Sequence, residues 1–70
     1  MTIEKIRKEV SLMEGKKVLA TVNIGRNKHE YIEGIISGVY PYLFTIKTET
    51  DIKSFSYSDV LIKNIVLKND

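Results

Sequence analysis

A chain of 70 residues, 43% of them hydrophobic, makes one small domain, and a domain of that size buries only about 60% of the surface its unfolded form exposes. It has no cysteine, which excludes a disulfide framework and thiolate metal sites. Its net charge of +2 is too small to argue nucleic-acid binding by itself. The charge leans to one side: residues 1–30 carry seven Lys or Arg against four Glu, and residues 31–70 four Lys against five acids.

No apolar run approaches the roughly 18 residues that a membrane span needs. The opening "MTIEKIRKEV" has charges spaced through it and no continuous apolar stretch, unlike a secretory signal. A cytoplasmic protein is expected.

In "TIEKIRKEVSLMEG", Ile3, Ile6, Val10 and Met13 recur in the steps of one helical stripe. Thr2 suits the N-cap, Glu4 the positive end of the helix dipole, and Gly15 the left-handed stop. The period then changes to two. In "KKVLATVNI", Val18, Ala20, Val22 and Ile24 alternate with Leu19, Thr21 and Asn23, the pattern of a half-buried strand. "GRNK" reads as a turn in which Gly25 takes the positive φ.

"HEYIEGIISGVY" is a longer strand, where Gly34 and Gly38 indicate sharp bending or close backbone approach. Pro41, without an amide hydrogen, breaks the strand after Tyr40. "YLFTIKT" resumes the alternation with Tyr42, Phe44 and Ile46 on one face. "SFSYS" places Phe55 and Tyr57 together, "SDVL" makes a single turn, and "IKNIVLK" closes as a fifth strand. One helix and five short strands predict a mainly β fold: an N-terminal helix over residues 1–14, then a five-stranded antiparallel small barrel of SH3-type or Sm-like form over residues 16–68.

Five of the six aromatic residues fall between Tyr40 and Tyr57. Phe44 and Phe55 are expected in the core, because so small a domain cannot forgo the roughly 1.5–3 kcal/mol that burying each provides. Tyr57 is expected to be structural, sending its hydroxyl to a nearby loop. Tyr40 and Tyr42 flank a proline at a turn. They either pack with their hydroxyls at the surface or form a contact surface.

The turn "GRNKH" places Arg26 and Lys28 at an exposed tip, available to an acidic protein or a phosphate, with Lys16 and Lys17 extending the patch; its bland reading is a solvated turn. His29 has no second histidine or cysteine with which to share a metal. No phosphate loop, dinucleotide fingerprint or nucleophile motif occurs. Asp51 and Asp59 are single acids suited to holding backbone amides. A non-enzymatic protein without cofactor or metal is expected.

"GRNK" (Gly25–Lys28), Gly34, "YP" with Phe44 three residues after the proline, and "SFSYSDVL" (Ser54–Leu61) occur together in order. This combination resembles the Veg family, short bacterial proteins named as stimulators of biofilm formation. The likeness runs from about Val10 to Leu67. Family members usually have a second Arg or Lys where Asn27 stands, and often continue past the last strand, whereas this sequence stops at Asp70.

The resemblance implies a regulatory role: raised expression of extracellular-matrix genes by opposing a transcriptional repressor through protein–protein contact. Gly25, Arg26 and Lys28 match the basic turn, Tyr40, Pro41 and Phe44 the central motif, and Tyr57 and Asp59 the closing one. The candidate partner-binding residues are therefore Lys16, Lys17, Arg26, Lys28, Tyr40 and Tyr42. A nucleic-acid module is the alternative, with Tyr40 and Tyr42 stacking on bases while the four cations meet phosphates. Self-association through the helix or a strand edge is a third reading.

Overall fold

The structure, a computed structural model, describes residues 2–69. Helix α1 (Ile3–Ser11) starts where Thr2 Oγ1 accepts a bond from the Lys5 amide at 3.3 Å. Its stripe buries Ile6 and Val10, with Ile3 and Met13 half-covered beside them. The helix ends three residues short of the expected Glu14, because the chain after Leu12 is captured by the sheet. Glu14 bridges Ile36, and the Gly15 amide donates to the Ile36 carbonyl at 2.8 Å. Gly15 has φ +81°, the left-handed stop its position predicts.

Five strands follow: β1 (Lys17–Gly25), β2 (Lys28–Val39), β3 (Leu43–Lys47), β4 (Ile52–Ser56) and, after helix α2 (Tyr57–Leu61), β5 (Ile65–Asn69). They form one antiparallel sheet in the order β4-β3-β2-β1-β5. The alternation holds through β2 and from Val18 to Ala20 in β1, but beyond Ala20 it fades, with Val22 half-buried and Ile24 exposed at the hairpin end. Val18, Ala20, Ile32 and Ile36 are buried while Lys17, Glu33 and Ile35 face out. At the hairpin tip the positive φ falls on Asn27 (57°) rather than on Gly25. A short amide side chain tolerates that region, and the extra residue is absorbed by a register shift between Asn23 and Gly25.

Gly34 answers for the close approach of β2 and β3. A Cβ there would meet the Lys47 carbonyl oxygen at 2.5 Å and Ile46 Cγ2 at 2.6 Å. The core beneath is built from Val10, Val18, Ile36, Phe44, Ile46 and Tyr57, all sealed from solvent. Phe44 lies with its ring centroid 5.9 Å from half-buried Phe55 and 5.6 Å from Tyr57.

The end of β4 differs from the alternation. The strand stops at Ser56, and Tyr57 opens α2. Ser56 is the cause: its hydroxyl accepts from the Asp59 amide at 3.2 Å and donates to Asp59 Oδ2 at 3.1 Å, an N-cap that starts a helix. Tyr57 still turns inward. Lys63, at φ 64°, ends the turn that follows α2.

Barrel closure is the larger difference. Among the described residues no ladder joins β4 to β5; α2 is the connection between them and touches each. The fold is mainly β: one open, five-stranded antiparallel sheet with two short helices.

Replacing Gly34 with Ala should cost about 1–3 kcal/mol, because backbone rather than a flexible side chain occupies the space. A urea melt of Gly34→Ala checks this. A loss within about 0.5 kcal/mol, the size of an ordinary surface change, would mean that β2 and β3 can part freely.

Candidate functional site

The β2–β3 turn, Tyr40-Pro41-Tyr42, is braced at four points, three of them from elsewhere in the sequence. The Tyr40 amide donates to the Leu43 carbonyl at 2.9 Å and closes the turn. The Tyr57 hydroxyl donates to the Tyr40 carbonyl at 2.6 Å. Arg7 Nη1 donates to the Pro41 carbonyl at 3.4 Å, and the Tyr57 amide to the Tyr42 carbonyl at 3.4 Å. Three consecutive carbonyls thus turn toward the protein. The two tyrosine rings are left outside.

Their exposure differs. Tyr42 is 81% exposed and stands free, whereas Tyr40 is 52% exposed. The Tyr40 ring folds back over Gly38, where a Cβ would meet Tyr40 Cε2 at 2.7 Å and its hydroxyl oxygen at 2.8 Å. The expectation that these residues either pack or make contact therefore divides between them: Tyr40 rests half against the sheet, and Tyr42 does not.

Tyr57 supplies the rigidity. Its ring is fully buried against Phe44, and its hydroxyl reaches the loop as the sequence predicts. Burial pushes the phenol above its ordinary 10.0 and outweighs the Arg7 charge, which pulls the other way. The hydroxyl therefore stays a donor through the neutral range.

The four cations do not gather at this turn. Arg26 and Lys28 sit at the far tip of the β1–β2 hairpin, while Lys16 and Lys17 sit where β1 begins. From Lys17 to Gly25 the strand runs about 26 Å at roughly 3.3 Å per residue. Lys16 and Lys17 therefore do not extend the Arg26–Lys28 patch. Lys17 pairs with Glu33 at 3.3 Å, both side chains more than half exposed, an arrangement that contributes about 0–1 kcal/mol.

Arg7 is the cation that reaches the aromatic turn. Sequence reasoning passed over it because Arg7 lies beside the apolar stripe of α1, and its partner is 34 residues away. Tyr31, 68% exposed on β2, and Ile24, 57% exposed at the end of β1, also lie toward the hairpin tip. A period-two reading that assigned faces would have put Tyr31 outward, with Glu33 and Ile35. His29 is exposed.

Asp51 and Asp59 are held by hydroxyls rather than by amides: Thr48 Oγ1 donates to Asp51 Oδ1 at 2.7 Å, and Ser56 to Asp59. Among the described residues no group of three His, Asp or Glu side chains is placed to hold a metal ion. Nor among the described residues is any helix long and apolar enough to cross a membrane.

The hairpin tip "GRNK", Gly34 at the β2–β3 contact, the braced proline turn with Phe44, and the capped "SFSYSDVL" segment are the features that carry the sequence likeness. The model of the family described as biofilm formation stimulator VEG matches residues 1–68. The chain belongs to the Veg family. No curated protein matches it. Placed on the structure, the Veg-like residues fall in two separate regions. Tyr40, Pro41, Phe44, Tyr57 and Asp59 surround the braced turn, and Gly25, Arg26 and Lys28 form the distant tip.

Tyr57→Phe keeps the ring and removes the donor to Tyr40, and should cost about 0.5–1.5 kcal/mol. It should also change the pH dependence. A phenol whose folded pKa is raised holds its proton more tightly in the native state, so its contribution is complete below pH 10.0 and is lost as pH rises through the folded value. Urea melts from neutral pH into that alkaline range should show the wild type losing stability, with a shallower loss in Tyr57→Phe. Equal slopes would show that Tyr57 does not titrate with folding.

Proposed function

We propose that this Veg-family chain is a non-enzymatic regulatory binding protein of the cytoplasm. On this reading it promotes biofilm formation by protein–protein contact that opposes a transcriptional repressor of matrix genes. The observation that carries the reading is the rigid display of Tyr42 and Tyr40 beside Arg7. Tyrosine and arginine are the side chains most often found at the energetic centre of protein interfaces, and a braced loop loses little entropy when a partner docks. The order of one helix and then five strands, with β5 beside β1, supports an SH3-type, Sm-like strand order in a sheet left open between β4 and β5. The tip at Arg26 and Lys28 is then a second, separate contact for acidic groups.

The test is a matrix-gene reporter in cells that carry or lack the repressor. Tyr42→Ala should abolish the stimulation while its melting curve stays that of the wild type, since the side chain is exposed. Arg26→Ala with Lys28→Ala should weaken it less. Undiminished stimulation by Tyr42→Ala would remove this turn as the contact. Stimulation that persists in cells without the repressor would remove the mechanism.

The same exposed tyrosine pair also favours a second reading, stacking on the bases of RNA or single-stranded DNA with Arg7 meeting a phosphate. Such binding must weaken steeply with salt. A titration with a single-stranded oligonucleotide that finds no affinity at low ionic strength disposes of it.

A further inference from the structure

The sheet has two edges, and they are not alike. On β4, Lys53 lies opposite buried Ile46, so it shares the core face, where it is half-buried; Ser54 and Ser56 alternate with it on the other face. An inward-pointing charge and polar neighbours are the devices by which natural sheets discourage a further strand. On β5 the run Ile65-Val66-Leu67 carries no charge, and its ladder with β1 shows no bulge. The one lysine, Lys68, comes after the run. Nothing within that apolar run blunts the edge.

Alongside that edge runs an apolar groove of about 380 Å³ between α1 and β5, walled by Ile6, Val10 and Met13 on one side and Ile65, Val66 and Leu67 on the other. Two exposed, opposite charges line it: Glu9 on the helix, and Lys63 at the turn after α2. Among the described residues neither forms an ion pair within the chain.

We propose that the occupant is a second copy of this chain, docked about a two-fold axis with β5 antiparallel to its partner's β5. Only that arrangement continues the sheet across identical edges, and it keeps both α1 helices on one side, so that the two grooves join into one trough. A two-fold interface is self-complementary, and a groove bearing one acid and one base meets that condition: Glu9 of each copy turns toward Lys63 of the other. A 70-residue domain gains most from such a partner, because its own core is small. Met13, Val66 and Leu67, the wall residues still open to solvent, supply the burial, and the charge pair sets the register.

Sedimentation velocity from the micromolar to the millimolar range reads this directly, as a shift from the 8.0 kDa chain to twice that mass. Glu9→Lys and Lys63→Glu, both at exposed positions, should each weaken association by about tenfold, and the double exchange should recover most of the loss, as a coupled pair does in a double-mutant cycle. Val66→Cys should form an inter-subunit disulfide on mild oxidation, since facing positions near the axis come within bonding distance. A wild type that remains monomeric throughout the range overturns the proposal. So does a dimer that neither charge reversal weakens, or one whose reversals are not rescued by the exchange.

Discussion

The buried phenol of Tyr57 ties together the parts of this chain that are far apart in sequence. Its ring stacks on Phe44, its hydroxyl holds the Tyr40 carbonyl, and its own amide reaches the Tyr42 carbonyl. A buried aromatic ring contributes through area, and a buried hydroxyl costs stability unless it finds an acceptor. Here one residue meets both conditions. The junction of β4 and α2 is thereby fastened to the β2–β3 turn, and the turn's outward side is determined by what its inward side must satisfy.

That constraint explains why the exposed aromatic residues are where they are. The carbonyls of residues 40–42 are drawn inward by Tyr57 and Arg7, so the side chains have no inward route. Tyr40 finds a half-shelter over Gly38, and Tyr42 finds none. Exposure of a large ring is ordinary in isolation. Exposure on a loop whose backbone is satisfied at four points is a surface with a fixed shape, which is what a binding module needs.

Much of this was legible in the sequence, for reasons of period and chemistry. Ile6 and Val10 follow helical spacing, Val18, Ala20, Phe44 and Ile46 follow strand alternation, and each is buried. Gly15 stops the helix as expected. The misplacements have physical causes. Asn27 took the left-handed position from Gly25, since both residues tolerate it and the register decides. Ser56 began a helix one residue before the alternation would have ended, because its hydroxyl found the Asp59 amide. Closure between β4 and β5 was inferred from strand count, but pairing of the edges depends on how far the sheet twists and bends, which strand count does not fix.

The sequence by itself determined the helix, five strand segments and most of the interior residues. Those follow from local periodicity and residue chemistry, which act over a few neighbours. The tertiary structure alone decided which charges meet the aromatic turn: it brought Arg7 across 34 residues and left Arg26 and Lys28 a strand's length away. It also set the two sheet edges apart, one carrying an inward charge at Lys53 and one charged only at Lys68, near its end. Such pairings depend on where the chain returns in space, and no spacing along the sequence encodes that directly.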